Sequence, residues 1–241
     1  MNKTFDYNSI SPNYYDKIYK NGFNPQKFWH HFKFEYIKNL IDLSGNTSLL
    51  DLGCGSGTFL NTFNEAELKY GLGVDISNQQ INYANEHNEN NKIEFKAINV
   101  TKENLEIKNK FDIITIIEVI EHLNISEIKL LLESSKKLLK ENGKILLTTP
   151  NYASFWSILE FIVNLTSKQS YKEQHITKFT KKKLAKLLDE SGYSLDMFKS
   201  FLGISPFLTI FGENFARKIY NLENKTTKLK GNLLIAVITP K

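Results

Sequence analysis

The chain has 241 residues, 41% hydrophobic and 24% charged, and its 31 basic residues stand against 26 acidic ones for a formal charge of +5. This composition excludes general disorder and points to one large domain with a sizeable core; the charge is that of a Lys-rich solvated surface, although it permits an anionic partner. A single cysteine, Cys54, excludes a disulfide framework and any multi-cysteine zinc site, as expected in a reducing compartment.

The leader "MNKTFDYNSISPNYYDK" has no apolar core of the kind a signal peptide needs. The longest apolar stretches, "ASFWSILEFIVNL" and "SFLGISPFLTIFG", are interrupted and fall short of the ~20 residues that span a bilayer. Cytoplasmic residence is expected, with peripheral membrane contact left open. In "QKFWHHFKFEYIKNLIDL" apolar residues recur at Phe28, Phe32, Tyr36, Leu40 and Leu43, which predicts a helix. The pattern then shortens: "TSLLDLG", "YGLGVDIS", "KIEFKAINV", "FDIITIIE" and "GKILLTTP" read as strands, separated by helices at "NQQINYANEHN" and "SEIKLLLESSKKLLKEN". Ser77 with Gln80 and Asn124 with Glu127 supply capping signals, and Gly143 is expected to stop the second helix. Helix "TKKKLAKLLDESG", opened by Thr180 and closed by Gly192, and strands "YSLDMFKS" and "NLLIAVIT" complete the chain. Alternating strands and helices require crossovers, hence an α/β fold with a mostly parallel sheet whose sites form beyond the strands' carboxyl ends.

In "LLDLGCGSGTFL", Asp51 ends a strand and Gly53, Gly55 and Gly57 form the turn that enters the next helix. Such a turn lets a ligand approach the backbone closely. It is neither a P-loop nor the dinucleotide spacing, which would need glycine at Thr58. Asp75 in "GVDIS" ends the next strand, where a carboxylate can accept from both hydroxyls of a ribose.

Together these residues resemble the class I S-adenosylmethionine-dependent methyltransferases, from about Asn46 to Asn151 and more weakly to the C-terminus. The resemblance implies a Rossmann-like three-layer sandwich with a seven-stranded, mostly parallel sheet and an antiparallel last strand. It divides one domain, 1–241, into an N-terminal helical segment (1–45), a cofactor-binding core (46–151), substrate-covering elements (152–222) and the last strand (223–241). It places Asp51 toward the methionine ammonium group, Gly53, Cys54, Gly55 and Gly57 under the cofactor, Asp75 at the ribose and Asn99 beside the adenine, with Ile76 and Val100 among the cofactor-binding residues and Glu118 near the sulfonium. Asn99 stands where the family usually has an acidic residue, and its amide oxygen can still accept from the adenine amino group.

The strand "FDIITII" ends in "EVIEHL". If a helical turn begins there, Glu118, Glu121 and His122 share one face at i, i+3 and i+4. Three readings stay open. His122 is a general base oriented by a carboxylate; or the three side chains hold a divalent metal, Mg²⁺ or Mn²⁺, that acidifies the acceptor; or they form a surface pair or cap. The succession "EVIEHL", "TTPN", "QHITKFTKKKLAKLLDESGY" resembles the subgroup containing quinone-pathway O-methyltransferases and O-methyltransferases of saccharide biosynthesis. It is also similar to the metal-dependent RNA 3′-terminal 2′-O-methyltransferases, in which the residues matching Glu118, Glu121, His122 and His175 bind the metal.

RNA recognition would need stacking aromatics and a basic groove. Lys181, Lys182, Lys183 and Lys186 sit on a helix whose other side is Leu184, Leu187 and Leu188, so they read as a solvated face and nucleic acid is set behind a small acceptor. "YASFWSILEFIVNLT" and "FLGISPFLTIFGENFARKIYNL" carry aromatic lid candidates, Phe155, Trp156 and Phe207, suited to a quinol, phenol or lipid-linked saccharide. The expected activity is methyl transfer to oxygen of a small or lipid-like acceptor. A non-catalytic nucleotide-binding module is the remaining alternative, and the acceptor's identity and the oligomeric state stay open.

Overall fold

The computed structural model describes residues 11–102, 105, 107–156, 174–225 and 231–241. The elements in chain order are α1 (Tyr14–Asn21), α2 (Asn24–Lys38), β1 (Ser48–Leu52), β2 (Tyr70–Asp75), α3 (Asn78–Glu86), β3 (Ile93–Ala97), β4 (Phe111–Ile117), α4 (Ile125–Leu138), β5 (Leu139–Pro150), α5 (Lys181–Glu190), β6 (Tyr193–Phe201), α6 (Glu213–Lys225) and β7 (Leu233–Pro240). Short 3₁₀ turns at Leu60–Thr62, Ile120–His122 and Ser205–Phe211 link them.

The strands form one seven-stranded sheet in the order β3-β2-β1-β4-β5-β7-β6. β1 pairs in parallel with β2 and β4, and β7 runs antiparallel to both β5 and β6. Strand order reverses between β1 and β4, which splays the loops after these two strands apart and leaves a crevice at their carboxyl ends. Successive side chains along β1 go to opposite layers: Leu49 joins Phe32, Ile37 and Phe59 of the α2 layer, while Leu50 and Leu52 join Leu131, Leu132 and Leu184 of the α4/α5 layer. Asp51, two residues from Leu49, therefore faces the α2 layer.

Ser77 accepts from Gln80 N–H, Asn124 and Glu127 form the full capping box, and Thr180 accepts from Lys183 N–H. Gly192 follows α5 with φ +74°. Three expectations are corrected. The helix expected after Gly57 is only the 3₁₀ turn Leu60–Thr62, whose Leu60 is buried in the core beside Phe59 and Phe63. Gly143 does not stop α4, because the helix already ends at Leu138 and β5 starts at the next residue. A Cβ on Gly143 would lie 2.9 Å from the Phe111 carbonyl oxygen, so glycine serves a close approach of β5 to β4. Helix α2 ends at Lys38, leaving Leu40 and Leu43 beyond it, half-buried against the core. Within 152–222, α5 and β6 belong to the sandwich itself, and most of "YASFWSILEFIVNLT" lies outside the described residues. Among the described residues no helix is long and apolar enough to cross a membrane.

Candidate active site

A cavity of ≈ 580 Å³ opens at the crevice between β1 and β4, roofed by α2. Its floor is the turn after β1. Gly53, Gly55 and Gly57 all take left-handed φ values of 79°, 53° and 75°, and the turn is tied to β2 by Gly53 and Cys54 N–H groups donating to Val74 O at 2.8 and 3.0 Å. Gly55 N–H donates to Asp75 Oδ2 and Ser77 N–H to Asp75 Oδ1, both at 2.9 Å. With Ile76 N–H as a third donor, the carboxylate still keeps acceptor capacity for a ligand.

Asp51 is 2% exposed and accepts from Thr115 Oγ1 of β4 at 2.7 Å, a cross-strand pair on the α2 face. Burial pushes its carboxyl up to about 7, helped by the charge of Asp75 and opposed by the Thr115 hydroxyl and Lys33. Burial also raises Asp75, against the pull of the Ser77, Gly55 and Ile76 N–H groups. Lys33, from the buried side of α2, ion-pairs with Glu118. Glu118 stands in a left-handed conformation at φ 53° directly after β4, its N–H donating to Thr148 O at 3.1 Å. The Lys33–Glu118 pair and the carboxyls of Asp51 and Asp75 thus line the cavity with the glycine turn, together with Ile76, which is 58% exposed, and Val100.

Past Glu118 the cavity changes character. Glu121 is 1% exposed and accepts from Thr149 Oγ1 at 3.0 Å. Burial, reinforced by the charge of Glu118, pushes its carboxyl well above the usual range. Since a carbonyl only accepts, the 3.1 Å contact of His122 Nδ1 with Gln174 O puts the proton on Nδ1 and the basic lone pair on Nε2. Burial lowers His122, and it drives His175 down to about 3 with help from His122 and Lys178. His175 Nδ1 meets the Tyr152 hydroxyl at 2.7 Å. One ligand atom from each of Glu121, His122 and His175 lies within 4.8 Å of the others. Aromatic rings close this end: Trp156 stacks on His175 at 6.4 Å and packs on Trp29 at 5.5 Å, and Trp29 meets Phe207 at 6.2 Å.

The residues fit an adenosyl sulfonium. A Cβ on Gly55 would meet no protein atom within 4 Å, so the backbone there is bare to the cavity. A profile for the family described as methyltransferase domain matches residues 28–196, well over half of the chain. The chain belongs to the class I S-adenosylmethionine-dependent methyltransferases. Among curated relatives, it is 36% identical to the ubiquinone biosynthesis O-methyltransferase of Pelagibacter ubique over 109 residues, 44% of this chain and 43% of that protein. It is 39% identical to the phosphoethanolamine N-methyltransferase of Plasmodium falciparum over 113 residues, 45% of this chain and 41% of that protein. The chain thus spans less than half the length of either relative. Solved structures share the fold: magnesium protoporphyrin IX methyltransferase of Synechocystis PCC 6803 with bound SAH has a TM-score of 0.63 at 14% identity, covering 100% of this chain and 97% of that one. The PH0226 protein of Pyrococcus horikoshii OT3 has a TM-score of 0.65 at 18% identity, covering 98% and 100%.

For a methyltransferase, the residues read from the sequence converge well. Asp51, Gly53, Cys54, Gly55, Asp75, Ile76, Asn99, Val100, Glu118, Glu121, His122 and His175 all line the one cavity, and Gly57 sits behind it against the Phe95 ring. Three details differ. Glu118 is not on a helical face with Glu121 and His122, because its left-handed backbone turns it to Lys33 and the 3₁₀ turn starts two residues later; the close cluster is Glu121, His122 and His175. The Asn99 amide oxygen accepts from Thr101 N–H and Oγ1 at 2.9 and 2.8 Å, so the amide N–H₂ is the group left for a ligand. Phe155 is 68% exposed and does not line the cavity, unlike Trp156 and Phe207. The sequence reading missed Lys33 and Trp29. Both lie on the buried stripe of α2, where a lysine among Phe32, Tyr36 and Ile37 was the available signal.

Proposed function

We propose that this chain transfers a methyl group from S-adenosylmethionine to a hydroxyl of a small, largely apolar acceptor such as a quinol or phenol. The carrying observation is that Glu121, His122 and His175 cluster in the cavity beside an aromatic wall, with Trp156 stacked on His175 and packed on Trp29. Bound S-adenosylmethionine supplies an electrophilic methyl on a sulfonium. The chain's own work is to orient, exclude water and take a proton. Asp75 holds the ribose hydroxyls, Asp51 and Glu118 face the ammonium group and sulfonium, Lys33 faces the carboxylate, and Ile76 and Val100 flank the adenine. His122 Nε2 removes the acceptor proton; its lowered basicity keeps it neutral and ready near pH 7. Trp29, Trp156 and Phe207 bind the acceptor's apolar body. Relatives named for ubiquinone biosynthesis support oxygen as the target, and the aromatic wall of Trp29, Trp156 and Phe207 suits an apolar acceptor body.

A second reading is supported by the three-donor cluster: Glu121, His122 and His175 would hold a divalent ion, which would supply Lewis-acid activation of the acceptor hydroxyl. One carboxylate with two imidazoles suits Mn²⁺ better than Mg²⁺, which prefers oxygen ligands. The test is methylation of 4-tert-butylcatechol and of phosphoethanolamine with methyl-labelled donor, with and without a chelator. Label in the catechol alone supports the proposal; label in phosphoethanolamine alone refutes it. Activity that survives chelation selects His122 as base, and loss restored by Mn²⁺ selects the metal.

A further inference from the structure

The apolar wall of the cavity is held from a distance. After β6 the chain turns through Leu202, a non-glycine residue at φ 53°, then Gly203 and Ile204, and enters the 3₁₀ turn Ser205–Phe211 that delivers Phe207 to the cavity. Three consecutive N–H groups, those of Gly203, Ile204 and Ser205, converge on one carboxylate, that of Glu223 on α6, at 3.1, 2.7 and 3.2 Å. The Ser205 hydroxyl adds a fourth donor at 2.6 Å. Such a run of N–H groups is an anion-binding concavity, filled here by the chain's own side chain, which is 8% exposed. A Cβ on Gly203 would lie 2.5 Å from Glu223 Oε1, so the carboxylate can seat only because residue 203 is glycine.

The same turn is joined to the other half of the wall. Asn232 donates from its backbone N–H to Leu202 O and from Nδ2 to Gly203 O, both at 2.8 Å, and its carbonyl accepts from Asn151 N–H at 2.8 Å. Its Oδ1 shares the Ser154 hydroxyl proton, at 3.1 Å, with Asn151 O at 2.6 Å. Ser154 Oγ in turn accepts from the N–H of Trp156 at 3.1 Å. Phe207 N–H closes the other branch onto Ile204 O at 3.0 Å. Phe207 and Trp156 come from segments more than forty residues apart, yet both pack on Trp29 and both are traced to the Gly203 turn.

We propose that Glu223 is a positioning residue for acceptor recognition: by gripping the Gly203–Ser205 turn it sets the spacing of Phe207 and Trp156 around Trp29, without touching acceptor or cofactor. The inference rests on the reading above that this wall receives the acceptor. The glycine turn and Asp75 lie on other elements, so loss of the grip changes acceptor affinity and leaves cofactor affinity alone. Glutamine at 223 keeps the shape but turns an N–H₂ toward N–H donors, which removes at least one charge-assisted hydrogen bond.

The experiment compares wild type with Glu223→Gln as full chains. Trp29 and Trp156 are the two tryptophans of the sequence and both line the cavity, so emission and acrylamide quenching report on the wall. Glu223→Gln is expected to red-shift the emission and increase quenching, to raise KM for 4-tert-butylcatechol about tenfold with kcat much less affected, and to keep the Kd of S-adenosylhomocysteine within about twofold. Unchanged quenching in a folded Glu223→Gln, or cofactor affinity falling in step with KM, overturns the proposal. Should wild type not methylate the catechol at all, the acceptor reading falls, and quenching alone decides whether Glu223 holds the wall. If Glu223→Gln does not fold, Ser205→Ala, which keeps the carboxylate and three backbone donors, should show the same pattern at smaller amplitude; wild-type quenching in that variant refutes the grip.

Discussion

Gly55 and Gly57 give a paired test, because the two glycines share a backbone conformation but not a neighbourhood. Both have positive φ, 53° and 75°, so alanine at either position costs about 1–2 kcal/mol of backbone strain. At Gly55 the added Cβ meets no protein atom within 4 Å, and strain is the whole cost to folding. At Gly57 the Cβ would sit 2.6 Å from two carbons of the Phe95 ring and 3.3 Å from Ala84 Cβ. Overpacking adds about 1–3 kcal/mol there, for a total of roughly 2–5 kcal/mol. At about 2–4 °C per kcal/mol for a chain of this size, Gly55→Ala should lower Tm by roughly 2–8 °C and Gly57→Ala by roughly 4–20 °C. Binding should rank the other way. The Gly55 methyl would project into open cavity space, where the proposed function puts the cofactor, and an overpacking cost of about 1–3 kcal/mol should then weaken S-adenosylhomocysteine by roughly 5–150-fold. Thermal unfolding and titration calorimetry on the two variants measure both quantities. Wild-type affinity in Gly55→Ala would refute the placement of the cofactor over this turn, whatever the stabilities.

Asp75→Ala should cost about 1–3 kcal/mol of S-adenosylhomocysteine affinity by calorimetry, since two charge-assisted acceptor positions disappear. It should also loosen the glycine turn by freeing Gly55 N–H. His122→Gln should lower kcat for an oxygen acceptor by about 10²–10⁴-fold in single-turnover assays with cofactor affinity unchanged; equal losses in both would place His122 at the cofactor instead. Because the Asp51 carboxyl is raised to about 7 in the fold, ionised Asp51 gains population as pH rises from 6 to 8, and affinity for the cationic amino-acid end of the cofactor should rise with it. In the ligand-free protein the sign is opposite. A folded value above the unfolded one stabilises fully below about 3.8 and is lost as pH rises through about 7, so Asp51→Asn should flatten the binding profile and make the free chain relatively more stable above pH 7. A binding profile that stays steep in Asp51→Asn would assign the titration to another group.

Much of the architecture was legible locally because its causes are local. Short apolar runs became β1 to β5, Ser77, Asn124 and Thr180 became caps, and Gly192 became a left-handed stop. The glycine turn was legible for the same reason: glycines at positive φ beside a strand-ending aspartate leave a signature in consecutive residues. Gly143 was misread because its role is contact with a neighbouring strand, which a helix-end rule does not see.

The sequence by itself determined that a glycine turn, Asp51 and Asp75 end adjacent strands of an α/β sheet, since propensity, capping and burial act over a few residues. Only the tertiary structure decided that Lys33 of α2 pairs with Glu118, that His175 rather than Glu118 completes the cluster with Glu121 and His122, and that Glu223 grips the turn carrying Phe207. Those partners are 85, 54 and 19 residues apart, and their meeting depends on how helices pack over the sheet. A buried charge accepts whichever counter-group the packing brings within reach, and no local pattern encodes that choice.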